Sequence, residues 1–225
     1  WTRVNVPGFD GAENKEVTVL AVLGSYLYAG TSNQATGCEV WRYDGANPWS
    51  RVGNAGFGTS ANEDVRSMGV FGSNLFAGTR TESSSRGCRI FRFDGANTWT
   101  PVGDEGFGDL NNKIASSMSV LGSHLFVGTF NQSTGGEVWR YNGSTWTRAN
   151  TSGFGDADNW EVSCMLTSKT YLYAGTSNLA TGCEVWRTGS NPAPAVNSIT
   201  PSSGMQGASV SITGLTGTGF YGTPT

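Results

Sequence analysis

Along the first 190 residues apolar and polar positions alternate in short runs, and each run ends on Gly, Asn or Asp. The stretch Asp64 to Phe71 (DVRSMGVF) is representative: it alternates and closes on Gly72-Ser73. Asn74 to Thr79 (NLFAGT) follows, then a polar loop from Arg80 to Gly87, then Cys88 to Phe93 (CRIFRF). The turn Asp94-Gly95-Ala96-Asn97 leads into Trp99 to Val102. A period of two with turn residues at the boundaries predicts four short antiparallel strands, and no window carries helical periodicity.

The same quartet of strands recurs. Trp1, Trp49, Trp99 and Trp146 open equivalent segments at spacings of 48, 50 and 47 residues, and Phe9, Phe57, Phe107 and Phe154 follow at the same spacings. Gly30, Gly78, Gly128 and Gly175 each sit before a Thr at the end of an apolar strand, and Arg42, Arg92, Arg140 and Arg187 each close a third strand. Four markers in register define tandem repeats of about 48 residues, each too small to bury its own apolar face. Four-stranded units repeated in this way predict an all-β, four-bladed β-propeller over residues 1–190. Trp1 to Val4 reads as a lone fourth strand and Cys183 to Arg187 as a lone third strand. Their pairing is expected to close the last blade and remove its open edge; the rival readings are a segment of a larger propeller and two chains completing one ring.

Two resemblances sharpen this picture. Leu27-Tyr28-Ala29-Gly30, Glu39-Val40-Trp41-Arg42-Tyr43-Asp44-Gly45 and Trp49-Ser50-Arg51-Val52 together resemble a kelch repeat, with Gly-Thr where kelch has a Gly pair. Residues 191–225 form a second region. It opens on a Pro- and Ala-rich linker, and Val196 to Gly204 with Val210 to Gly214 resembles the start of an IPT/TIG domain, an immunoglobulin-like sandwich. A sandwich needs roughly 100 residues, so this truncated Ig-like segment is expected to lie against the propeller or another chain, and a homo-oligomer through it is an open option. Both resemblances imply an extracellular or cell-surface protein.

Composition narrows the function. Net charge is -3, charged residues are 14% of the chain, and Lys15, Lys113 and Lys169 are its three lysines. Without a basic run, neither nucleic acid nor anionic lipid is an expected partner, and without a long apolar stretch no membrane insertion is expected. Cys38, Cys88 and Cys183 share one repeat position and are therefore expected far apart, and with Cys164 they should be reduced and mostly buried. One histidine, His124, and the cysteine spacings argue against a metal, and no cofactor is expected.

Recurring polar residues form two sets. Glu39, Glu137 and Glu184 with Arg42, Arg92, Arg140 and Arg187 are expected to form a structural ladder between blades, because buried charges persist when paired. Asn14, Asn62, Asn112 and Asn159 enter each first strand, and Asn33, Asn131 and Asn178 follow each second strand, with Thr81 in the second repeat. These loops should share one face, where Arg80, Phe130 and Trp160 break the repeat. Asparagine commonly closes turns through its own side chain; the other reading of the set is a polar face suited to a sugar or a peptide, and that face is the expected ligand site. The resulting expectation is a non-catalytic recognition or adhesion module, not an enzyme, binding a glycan or a protein. The alternatives are a structural spacer and a glycan-active hydrolase of the sialidase-like kind, whose carboxylate pair would come from Asp156, Asp158 and Glu161 with Glu63 and Asp64.

Overall fold

The computed structural model describes residues 1–189, 195–201, 203 and 214–218. The first repeat folds into β1 (Glu16–Leu23), β2 (Tyr26–Ser32), β3 (Val40–Tyr43) and β4 (Ser50–Arg51). The second gives β5 (Asp64–Phe71), β6 (Asn74–Arg80), β7 (Ile90–Phe93) and β8 (Trp99–Pro101). The third gives β9 (Ile114–Leu121), β10 (His124–Phe130), β11 (Val138–Tyr141) and β12 (Trp146–Arg148), and the fourth β13 (Glu161–Ser168), β14 (Tyr171–Ser177) and β15 (Val185–Arg187). Strands of one repeat pair antiparallel in sequence order, so each repeat is a meander. The tight turn between its first two strands needs positive φ, taken by Gly24, Gly72 and Gly122 and, in the fourth meander, by Lys169 at φ 56°.

Single residue pairs stitch the meanders together: Ser32 with Asp64, Arg80 with Ile114, and Phe130 with Glu161. The first strands β1, β5, β9 and β13 pack in succession, as inner strands of a propeller do. Apolar residues of adjacent meanders then meet in three cores. The first joins Tyr28 and Val40 to Val65 and Leu75, the second Phe76 and Ile90 to Leu125 and Val127, and the third Phe126 and Val138 to Val162 and Leu172. Glycine sets the closeness of these seams. A Cβ at Gly30 would lie 2.6 Å from the Val65 Cβ, one at Gly78 2.6 Å from the Ala115 Cβ, and one at Gly128 2.7 Å from the Val162 Cβ.

Four meanders with three seams make an open array, which corrects the expected closure of a four-bladed ring. β15 pairs with β14 alone among the described strands, and β1 does not pack against β13 as neighbouring first strands do. Trp1 and Val4 are exposed. The N-terminal segment instead leans on the first meander: Phe9 stacks on Trp41 at 5.0 Å, and Trp49 Nε1 donates to the Val4 carbonyl at 3.0 Å. The physical reason is that a Trp-led segment is tied to the meander that follows it, as Val4 is by Trp49. Trp99 Nε1 donates to Val52 O and Trp146 Nε1 to Val102 O in the same way. Trp1 to Val4 thus holds the place of a strand preceding β1.

The phenylalanine turns carry a feature the strand pattern does not reveal. Phe9, Phe57, Phe107 and Phe154 have φ between 54° and 62°, a left-handed backbone that costs about 1–2 kcal/mol. Stacking offsets it: Phe57 lies on Phe91 at 4.2 Å, Phe107 on Trp139 at 4.9 Å and Phe154 on Trp186 at 4.9 Å, each such pair worth about 0.5–1.5 kcal/mol beyond area burial.

The second compact unit, from Thr188 onward, is described as the hairpin β16 (Ala195–Thr200) and β17 (Gly214–Thr218). The remainder of the expected Ig-like start, and its expected contacts, lie outside the described residues.

Candidate functional site

Buried polar residues organise each meander. Asn112 Nδ2 donates to Gly106 O at 2.9 Å and to Glu137 Oε2 at 2.8 Å, while its Oδ1 accepts from Thr129 Oγ1 at 2.9 Å and Asn131 Nδ2 at 3.1 Å. Asn14 does the same with Gly8, Glu39, Thr31 and Asn33, and Asn159 with Gly153, Glu184 and Asn178. Asn62 keeps Gly56 and Thr79. Asn33, Asn131 and Asn178 turn their Oδ1 to backbone N–H groups two and three residues on, closing the loop after each second strand. Asn62, Asn112, Asn131 and Asn159 are buried, and both ends of these amides are occupied. The expectation that this asparagine set contacts a ligand is therefore corrected: it braces the loops.

The glutamates close the same network. Glu39 Oε2 accepts from Trp41 Nε1 at 3.0 Å and its Oε1 from Arg51 at 2.9 Å; Glu137 accepts from Trp139 at 2.8 Å and Arg148 at 2.9 Å. The ion pairs thus lie within one meander, between third and fourth strands, which corrects the expected ladder between blades. Arg42 instead covers Tyr26 at 4.8 Å, Arg187 covers Tyr171 at 4.4 Å, Arg140 sits near His124, and Arg92 faces Phe76 and Thr100 in the strand register. The second meander replaces all three members together, with Arg89, Phe91 and Pro101 where the first and third have Glu, Trp and Arg. Without the carboxylate an indole N–H and a guanidinium would lose their buried acceptor. That triple change was visible in the sequence and is the signal that groups these residues. Burial works to raise the Glu137 carboxyl, but bonds from Asn112, Trp139, Arg148 and Ser152 outweigh it and hold the group below its ordinary value.

The cysteines divide. Cys38 and Cys88 are buried, and Cys164 and Cys183 are exposed, so the expectation of mostly buried thiols holds for two of them. Burial pushes the Cys88 thiol up to about 12 and raises Cys38 as well.

Where the repeat breaks, a cleft opens. Glu13, Lys15, Glu16, Ser32, Gln34, Ala35 and Arg80 line about 560 Å³ at the junction of the first two meanders, on the face of the first-strand entry loops. Arg80 occupies the position of Ser32, Phe130 and Ser177 in the other repeats. It donates to Asp64 Oδ2 at 3.0 Å and pairs with Glu82. Glu63 stands where other repeats have Lys15, Lys113 and Trp160, and its amide donates to the Arg80 carbonyl at 3.0 Å. Burial pushes the Glu63 carboxyl above its ordinary value; Arg80 pulls against this and the Asp64 charge adds to it. Glu63 Oε2 and Asp64 Oδ1 are buried without a hydrogen-bond partner. Of the three pattern-breaking residues picked from sequence, Arg80 lies in the cleft. Phe130 and Trp160 lie at the junction of the third and fourth meanders, where Asn131 N bonds to Trp160 O at 2.8 Å and Phe130 pairs with Glu161. Asp156 accepts from the Asp158 amide at 3.0 Å and from Asn178 Nδ2 at 3.1 Å, so its carboxylate closes its own loop.

No family model and no curated protein matches this sequence. Among solved structures it is similar to an endo-arabinase from Bacteroides thetaiotaomicron, at 9% identity and a TM-score of 0.42 over 75% of this chain and 72% of that one. An alpha-L-arabinofuranosidase from Clostridium thermocellum gives 11% identity and 0.44 over 71% of this chain and 59% of its own length. The SapL1 lectin in complex with alpha methyl fucoside gives 14% and 0.45 over 79% and 67%. At these TM-scores none of the three lends this chain a ligand or a reaction. Two of them are nonetheless glycoside hydrolases, and the expectation that the chain is not an enzyme is set aside on that finding.

Proposed function

We propose that the four meanders are blades of a kelch-like propeller-type module that takes a glycan in the cleft at the first junction, in an extracellular or cell-surface protein. The observation that carries this reading is the break in repeat symmetry at Arg80. There, a guanidinium held by Asp64 faces a cleft that also carries Lys15, Gln34, Glu13 and Glu16. Fixed donors and acceptors alternating over one concave surface suit a polyhydroxylated ligand, whose hydroxyls both give and take hydrogen bonds. Titration calorimetry with a panel of oligosaccharides that includes arabinan fragments and fucosides tests it. Lys15→Ala and Gln34→Ala, which leave the buried network intact, should each weaken binding at least about fivefold (~1 kcal/mol). No binding across the panel, or unchanged affinity in both variants, refutes the site.

A second reading rests on Glu63. A carboxyl raised by burial beside a second acid is the arrangement that lets one group stay protonated and donate to a glycosidic oxygen. Release of reducing sugar that Glu63→Gln abolishes, with binding retained, would establish hydrolysis with Glu63 as the acid. Retained release in that variant excludes Glu63 as the acid.

A further inference from the structure

Among the described residues the first and last meanders leave complementary surfaces open. In the last meander the machinery of the others recurs, but no described residue supplies what a Trp-led strand gives elsewhere. Phe154 stacks on Trp186, whereas Phe57 and Phe107 also meet an indole edge, from Trp99 and Trp146 at 5.3 and 4.9 Å. Glu184 Oε2 takes Asn159 and Trp186, both at 2.8 Å. The Arg51 and Arg148 that fill the other carboxylate oxygen of Glu39 and Glu137 have no counterpart on Glu184 among the described residues. The Val4, Val52 and Val102 carbonyls each accept from a tryptophan of the next segment, and Ala149, at the same repeat position, has no such donor among the described residues. Gly175 completes the set. Gly30, Gly78 and Gly128 each press on Val65, Ala115 or Val162 of the following meander, but among the described residues a Cβ at Gly175 would meet the Cys164 sulfur alone.

At the near end the missing pieces are present and unused. Trp1-Thr2-Arg3-Val4 matches Trp146-Thr147-Arg148-Ala149 in the order that the vacant places require. Trp1 is exposed and Arg3 makes no ion pair among the described residues. On β1, Val17 occupies the position of Val65 and Val162, which are 0% exposed, yet Val17 itself is 49% exposed. Leu20 is likewise open where Met68 is buried.

We propose that a second copy of this chain docks head to tail. Its Trp1–Val4 segment would add the fourth strand to the last meander, with Arg3 on Glu184, the Trp1 indole on Phe154 and the Ala149 carbonyl, and Val17 in the hollow over Gly175. The contact is heterologous, the same surface never meeting itself, so it propagates until a ring closes. It reuses the seam already built three times inside one chain. It does not depend on the glycan reading.

Sedimentation analysis of the whole chain across a wide concentration range tests the proposal. Assembly into a species of at least twice the monomer mass is expected, with Arg3→Glu and Val17→Asp each weakening it at least tenfold. Both residues are exposed in the single chain, and an unchanged far-UV spectrum and melting temperature at dilution will show that they leave its fold intact. Glu184→Arg combined with Arg3→Glu should restore association. A second readout is the alkylation rate of Cys164, which borders the Gly175 hollow and should slow on assembly. A chain that stays monomeric at all concentrations, or one whose assembly ignores both substitutions, overturns the proposal.

Discussion

Glu137 concentrates the residue-scale logic of this protein. Its folded-state carboxyl lies below the unfolded value of about 4.5, because four donors outweigh the penalty of burial. A depressed acid contributes stability above its unfolded value and loses it as pH falls through the folded one. Denaturant unfolding between pH 6 and 3 should therefore show a loss that flattens in Glu137→Gln. Glu63 has the opposite sign: its raised carboxyl holds a proton longer in the folded chain, so stability declines as pH rises from about 4.5 through the folded value. Glu63→Gln should remove that decline and stabilise the neutral protein. Thiol chemistry gives an independent check. With copies dissociated, a disulfide reagent should titrate Cys164 and Cys183 and spare Cys38 and Cys88 until the chain unfolds, because buried thiols form little thiolate. The recurrence of asparagine was legible in the sequence, but its direction was not. A side chain that closes a turn inward and one that greets a ligand share the same period and the same flanking residues.

At the scale of elements, the meanders were readable because period-two alternation and glycine turns are local signals. The register of β5 with β6 or β9 with β10 follows from them, bulges aside. What local pattern could not show is the left-handed Gly-Phe turn, since nothing in the alternation demands φ near 57° at an aromatic. Close approach across a seam was also hidden, because Gly128 looks like any strand glycine until Val162 is placed against it. Gly128→Ala should cost about 1–3 kcal/mol through overpacking, measured as a lower urea midpoint at unchanged slope. Asn112→Ala should cost about 1–3 kcal/mol, since Glu137 and Gly106 each lose a donor, and Thr129 and Asn131 an acceptor, in a buried site.

For the whole molecule, the number of repeats was countable from Trp1, Trp49, Trp99 and Trp146, whereas closure was not. Whether the first and last meanders meet depends on the small rotation each seam adds, a quantity set by core side chains such as Leu75, Leu125 and Leu172 together and absent from any one repeat. The cleft was half legible: Arg80 announced itself by breaking the pattern, but Lys15, Gln34 and Glu13 are ordinary surface residues until the junction brings them to one wall.

Each meander touches its immediate neighbours and no others of comparable extent, which makes the array a one-dimensional lattice in thermodynamic terms. Such a lattice melts from its termini inward. Amide protons of β14 should exchange earliest among the longer strands and those of β6 and β9 last, and limited proteolysis should peel the fourth meander away while the second and third survive as a protected fragment.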